Sequence, residues 1–240
     1  MSPKSLKDIL LTFVICTRFT TASCQQVDLG VSFNSGLFSF AGPSAASSSS
    51  INFNEDDKSA YTNNPYGSKN GFCYGVSGNL KAIAKTGFIF GLDLGYEALK
   101  SKIAIETIST SGTQLPATGE TFIHYDFINL FPFIGYRLAA HKKIFFDITA
   151  GLDNAICLTA TEKGKATASD NSQYTTELDR KTITTDIRPR IQFSANYKRA
   201  GIYVGYSLGL RNYLVDDVGG TNECYSRMIR FGISYRLKEN

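Results

Sequence analysis

The chain of 240 residues has no tryptophan, two histidines and no long apolar run. A membrane-spanning helix needs about 18 or more consecutive apolar residues, so any passage through a bilayer must be made by strands. Charged residues are scarce at 19%, below the roughly 25% of an average soluble domain. The excess of 25 Lys and Arg over 21 Asp and Glu leaves a net +4. That is too little to imply a nucleic-acid partner, which requires a clustered basic face. The five cysteines show no C-x-x-C spacing, so neither a zinc site nor a redox motif is indicated. No phosphate loop or dinucleotide fingerprint joins a strand to a helix. The expectation is therefore no bound metal, no cofactor and no enzymatic activity.

What the chain does have is 13 Tyr, 17 Phe and a repeated alternation of apolar and polar residues. In residues 227–237, Ile229, Phe231, Ile233, Tyr235 and Leu237 share one parity, and Arg230, Gly232, Ser234 and Arg236 share the other. Side chains of a strand point alternately to its two faces, so this segment has one apolar and one polar face. The pattern recurs near residues 27–40, 72–82, 88–103, 122–138, 144–158, 182–197 and 202–214. Eight such strands, apolar outward and polar inward, predict an all-β fold: an antiparallel up-and-down transmembrane β-barrel. Pro132 lies inside the fourth segment and predicts a bulge or bend there.

Short turns near residues 84–87, 139–143 and 198–201 alternate with long polar stretches near 42–70, 106–121, 159–181 and 215–223. Outer-membrane barrels pair short periplasmic turns with long extracellular loops. The expected location is the Gram-negative outer membrane, with both termini periplasmic. The expected partners are outer-membrane lipids, the barrel-assembly machinery during insertion and a protein partner of unknown identity. The N-terminus reads as a secretory signal over residues 1–24, with Lys4 and Lys7, an apolar core from Ile9 to Cys16 and a small-residue site at Ala22-Ser23-Cys24. Its removal leaves residues 25–240 as one domain. A competing reading makes Cys24 a lipid-modified first residue, although Thr21 stands where such signals usually carry Leu. One disulfide among Cys73, Cys157 and Cys224 is open in an oxidising compartment.

On the inward parity the expected charge network is Asp93, Glu97, Asp147, Asp153, Asp186, Arg188, Arg190, Arg211, Arg230 and Arg236. Gly30, Gly75, Gly91, Gly95, Gly135, Gly151, Gly205, Gly209 and Gly232 fall on the same parity. Small residues there leave room for large ones in an interior that eight strands barely enclose. Counting from the short turns places Asp153 level with Arg188 and Arg190. Other candidates are weaker: His124 with Asp126 lacks a nucleophile. Glu55-Asp56-Asp57 and Asp216-Asp217 read as solvated loops rather than cation sites, and His141 reads as an exposed turn residue.

Three segments resemble the PorT-like outer-membrane β-barrel proteins of Bacteroidetes: HYDFINLFPFIGYRL at residues 124–138, FDITAGLDNAI at 146–156 and MIRFGISYRL at 228–237. The chain differs in having Asn129-Leu130-Phe131-Pro132 where that family often has Glu-Ile-Pro, and in three residues that follow Leu237. The resemblance implies a small outer-membrane barrel and no particular activity; the leading reading of the residues themselves is a structural or surface-interaction role, with the long loops meeting partners and the lumen plugged by charged side chains. Two alternatives stay open on the sequence: a narrow outer-membrane channel, and a soluble lipocalin-like barrel with its apolar face turned inward.

Overall fold

The computed structural model describes residues 24–139, 143–215 and 222–239. The expected signal, apart from Cys24, lies outside them, as do His141 and the Asp216-Asp217 pair. The described residues are all-β, with eleven strands among them. They are β1 (Cys24–Ala41), β2 (Ser48–Phe53), β3 (Ala60–Thr62), β4 (Lys69–Ala84), β5 (Phe88–Thr110), β6 (Thr113–Leu138), β7 (Ile144–Ala168), β8 (Gln173–Asp179), β9 (Thr185–Tyr197), β10 (Ala200–Leu208) and β11 (Tyr225–Glu239). Eight of them form a ring-like antiparallel sheet in the order β1-β4-β5-β6-β7-β9-β10-β11, and β11 pairs back onto β1.

The register around this ring fixes its geometry. From Phe72 on β4 the direct partners run through Leu37, Ile229, Tyr206, Ile191, Ala150, Ile134 and Phe90 to Ala82. The circuit thus returns to β4 ten residues from where it left it (82 − 72). Eight strands about 4.8 Å apart give a path of about 38 Å perpendicular to the strands, and that path closes after a shift of ten residues, about 33 Å, along the strand. The strands therefore lean about 40° from the ring axis.

The two faces separate as the alternation requires. Outward apolar stretches run from Val27 to Leu37 on β1, from Ile128 to Leu138 on β6 and from Ile187 to Tyr197 on β9. Each covers ten residue steps, which at this tilt is a band about 25 Å tall. Asp186, Arg188 and Arg190 face inward and are buried, the reverse of a lipocalin-like arrangement. Room inside is made by residues that lack a side chain: a Cβ on Gly91 would lie 2.2 Å from the Phe133 ring.

The interior is layered. Charged residues fill the half nearer the short turns. Beyond them, toward the opposite end, Phe40 makes edge contacts with Phe38, Tyr66, Tyr125 and Tyr213 at centroid distances of 5.2, 5.1, 6.1 and 4.9 Å. Cys73, Cys157 and Cys224 are free thiols buried in this aromatic layer.

Three of the long polar stretches are not the loops expected from composition. β5 and β6 continue to Thr110 and Thr113 and join through Ser111 and Gly112, both at positive φ, as a two-residue hairpin turn demands. β7 continues to Ala168 and folds back as β8. β2 runs parallel to β5, with β3 on its other side. These segments stack a second storey on the ring, with Ile51, Ile103, Ile105, Ile108, Ala166 and Ala168 inside it. Arg180 ties it together by donating to Glu162 at 2.7 Å and to the Thr62 carbonyl at 2.7 Å, while the Thr62 N–H donates to Glu162 at 2.9 Å. Thr- and Ser-rich composition hid strands whose outward side is polar.

Pro132 also departs from expectation. It pairs with Leu92, and β6 and β7 keep register on both sides of it, Leu130 with Asn154 and Phe133 with Gly151. The missing N–H interrupts the ladder without a bulge. The β6–β7 bulge lies higher, between Asp126 and Phe127. Glu55-Asp56-Asp57 shapes a tight turn. Asp57 accepts from the Ser59 N–H at 2.9 Å, and its bonds to Ser59 hold the carboxyl below the usual range.

Candidate functional site: a charge network inside the ring

Two connected clusters occupy the interior. The first lies near the short turns. Arg137 and Asp147 are direct partners on β6 and β7, so their side chains meet on the inward face. Arg137 donates to Asp147 through Nε at 2.8 Å and Nη2 at 3.1 Å, and its Nη2 also reaches Asp28 at 3.2 Å. Lys81 adds a bond to Asp147 at 3.2 Å. Arg236 lies 3.6 Å from Asp28. The Phe145 ring is flanked by the guanidinium groups of Arg137 at 4.2 Å and Arg236 at 4.9 Å.

The second cluster sits at mid-height and crosses the ring. Arg230 on β11 donates to both oxygens of Glu97 on β5, at 2.7 and 2.9 Å. It also donates to Asp153 on β7 at 2.9 Å and to the Ser207 hydroxyl at 2.6 Å. Asn129 donates to Glu97 at 2.9 Å and to Asp153 at 2.9 Å. Arg188 pairs with Asp153 at 3.4 Å and Glu97 at 3.5 Å, and its guanidinium rests on the Phe127 ring at 5.1 Å. Among the described residues none of its three guanidinium nitrogens has a hydrogen-bond partner, so what it brings to Asp153 and Glu97 is charge. Asp186, at the upper edge, accepts from Tyr213 at 3.0 Å and Ser226 at 2.5 Å.

Among the expected residues, Glu97, Asp153, Arg188 and Arg230 come together, with Asp186 beside them. The expected alignment of Asp153 with Arg188 is found as a direct strand pairing. Asp147 and Arg236 belong to the first cluster. Asp93 and Arg190 line the interior together, and Arg190 lies over the Phe131 ring at 4.3 Å. Arg211, expected inside, is not. β10 ends at Leu208, Gly209 and Leu210 still donate to the Ser226 and Ile187 carbonyls, and the chain bends at Arg211, where parity no longer sets direction and the side chain is exposed. Arg211→Ala should therefore change the unfolding free energy measured in urea by no more than about 0.5 kcal/mol; a loss of several kcal/mol would return Arg211 to the interior.

Asp28, Lys81 and Arg137 were missed. Asp28 and Lys81 lie on readable inward parities. Arg137 does not, because β6 is apolar on both faces: Tyr125, Phe127, Phe131 and Phe133 inside, Ile128, Leu130 and Ile134 outside. With them the interior holds, among the described residues, six carboxylates (Asp28, Asp93, Glu97, Asp147, Asp153, Asp186) and six cations (Lys81, Arg137, Arg188, Arg190, Arg230, Arg236). The interior is charge-balanced, and the open space near Asp28 and Arg137 amounts to about 20 Å³, room for a water molecule.

His124 and Asp126 lie on the outer wall, at the upper edge of the apolar band. Asp126 accepts from Thr159 at 2.5 Å and from Tyr96, and lies 3.2 Å from His124 Nε2. The four form a polar collar between strands. Among the described residues, no group of three or more His, Cys, Asp or Glu is placed to hold a metal ion.

No family model and no curated protein matches the chain, so the PorT-like resemblance rests on its three segments. Solved structures do resemble it. Neisserial surface protein A (NspA) aligns at 10% identity and TM-score 0.42, over 87% of this chain and 97% of that one. Ail, the attachment invasion locus protein of Yersinia pestis, aligns at 9% identity and TM-score 0.34, over 88% and 98%. The outer membrane protease OmpT of Escherichia coli aligns at 9% identity and TM-score 0.33, over 88% and 96%.

Proposed function

We propose that the chain is a closed, eight-stranded, up-and-down transmembrane barrel of the Gram-negative outer membrane, of PorT-like kind, with a structural or surface-interaction role and no catalytic one. The observation that carries this reading is the outward apolar band, about 25 Å tall, around a charge-balanced interior. That height suits the hydrocarbon of an outer membrane. A continuous ring of strand pairings, the break at Pro132 apart, keeps the backbone groups bonded within the sheet, as lipid requires. β1 begins and β11 ends at the end that carries the short turns, which by the usual asymmetry is periplasmic. The second storey then stands outside the cell as an ordered platform for a partner.

The protein should fractionate with the outer membrane, require detergent for release and change its gel migration on boiling. Recovery in the soluble periplasm would overturn the reading. Opposite charges that neutralise one another under an aromatic layer also favour a plug over a channel. The reconstituted protein should give no porin-like conductance in planar bilayers, and large, reproducible single-channel steps would install the channel in its place.

A further inference from the structure

We propose that the short-turn rim carries a binding site for an anionic phospholipid, with the headgroup phosphate on Lys143, Lys198 and Arg199 and an acyl chain in the groove above them. The proposal rests on the membrane reading and adds a ligand to it.

Two independent features coincide here. The first is charge. Every short turn carries cations and no acid: Lys85 between β4 and β5, Lys143 between β6 and β7, and Lys198 and Arg199 between β9 and β10. All four are exposed. Lys143 and Lys198 sit on neighbouring turns, joined by a bond from the Lys198 N–H to the Lys143 carbonyl at 3.4 Å. The nearby carboxylates of Asp28 and Asp147 point inward and are held by Arg137, Lys81 and Arg236. Lys143, Lys198 and Arg199 therefore face solvent with no acid on their turns to neutralise them.

The second feature is shape. On the outer wall just above these turns lies an apolar groove of about 550 Å³, a usual size for a ligand cleft. Ile144, Tyr197, Ile202, Ile233 and Tyr235 wall it, and Ala195 leaves it open at mid-length where its neighbours carry large side chains. It reaches Ala200 and Gly201, directly after the cationic turn. An apolar trough that opens onto three cations matches the two ends of an anionic glycerophospholipid. Clustered Lys and Arg at a membrane surface attract anionic headgroups, and tyrosines at the trough's mouth suit the headgroup level.

The test uses the full-length, delipidated protein in detergent, with palmitoyl-oleoyl phosphatidylglycerol or phosphatidylcholine added, read by native mass spectrometry. Phosphatidylglycerol should be retained at least tenfold more strongly, with one lipid bound per chain. Lys143→Gln with Lys198→Gln and Arg199→Gln should abolish the preference. Ala195→Phe, which fills the trough, should weaken retention of both lipids. Equal retention of the two lipids by the native protein, or a preference that survives the triple change, overturns the proposal. So does a two-chain mass that disappears with Ala195→Phe, which would give the groove to a second copy. Heat-dependent gel migration of each variant shows that the ring is folded, so failure of the lipid site is distinguishable from failure of the membrane reading.

Discussion

Arg230→Ala should destabilise the folded protein by about 3–5 kcal/mol, because it leaves two buried carboxylates short of their main cation. Arg230 makes four hydrogen bonds to side chains of three strands and holds Glu97 and Asp153 together. Without it those carboxylates face Arg188, whose nearest approaches are 3.4 and 3.5 Å. Arg188 contributes charge without hydrogen bonds, so Arg188→Ala should cost less than Arg230→Ala. A hydrogen bond to a charged group contributes about 1.5–3 kcal/mol, which sets the scale of the difference. The measurement is urea unfolding of protein refolded in vesicles. Glu97→Gln in the Arg230→Ala background should cost much less than in the native protein, since the charge it removes is already unpaired. Strict additivity in that cycle would mean that the pair is not coupled. A larger effect at Arg188 would invert the proposed division of labour.

The same network shows how much was readable in advance. Asp153 and Arg188 were legible because β7 and β9 alternate cleanly and lie side by side in the sheet. The Arg230–Glu97 pair was not. It crosses the interior between strands that are not neighbours, and only the ten-residue climb of the register decides which residues meet there. Arg137 was hidden by a strand with two apolar faces. The outer storey was missed for a further reason, which is that the pattern reverses at the top of the band. Below it, β7 shows Ile148, Leu152 and Ile156 outward and Asp147 and Asp153 inward; above it, Lys163 and Lys165 face out while Ala166 and Ala168 face in. The bulge opposite Asp126 and Phe127 puts one extra residue, Leu158, into β7, so the parity that faces out below it faces in above it, and Thr-rich composition there reads as loop. The Ser111-Gly112 dipeptide was the local signal of the hairpin.

That reversal also marks where the membrane should end, and a single outward charge can measure it. Ile191 is midway along the outward stretch of β9 and is 56% exposed. Leu138 ends the corresponding stretch on β6, next to a short turn. Both are exposed aliphatic residues on the outer wall, and in water replacing either with Arg should change stability by no more than about 0.5 kcal/mol. In a bilayer the two sites differ in depth alone. Arginine at the midplane of a barrel's lipid face costs about 2–4 kcal/mol, against about 0–1 kcal/mol near the interface. Ile191→Arg should therefore lower the stability of vesicle-refolded protein by about 2–4 kcal/mol, and Leu138→Arg by less than about 1 kcal/mol. The Arg230 result alone does not locate the protein, because a buried ion pair is costly to break in any fold. The depth difference does. Equal, small effects at both sites would place the apolar face in contact with something other than lipid, and the outer-membrane reading would fall with it.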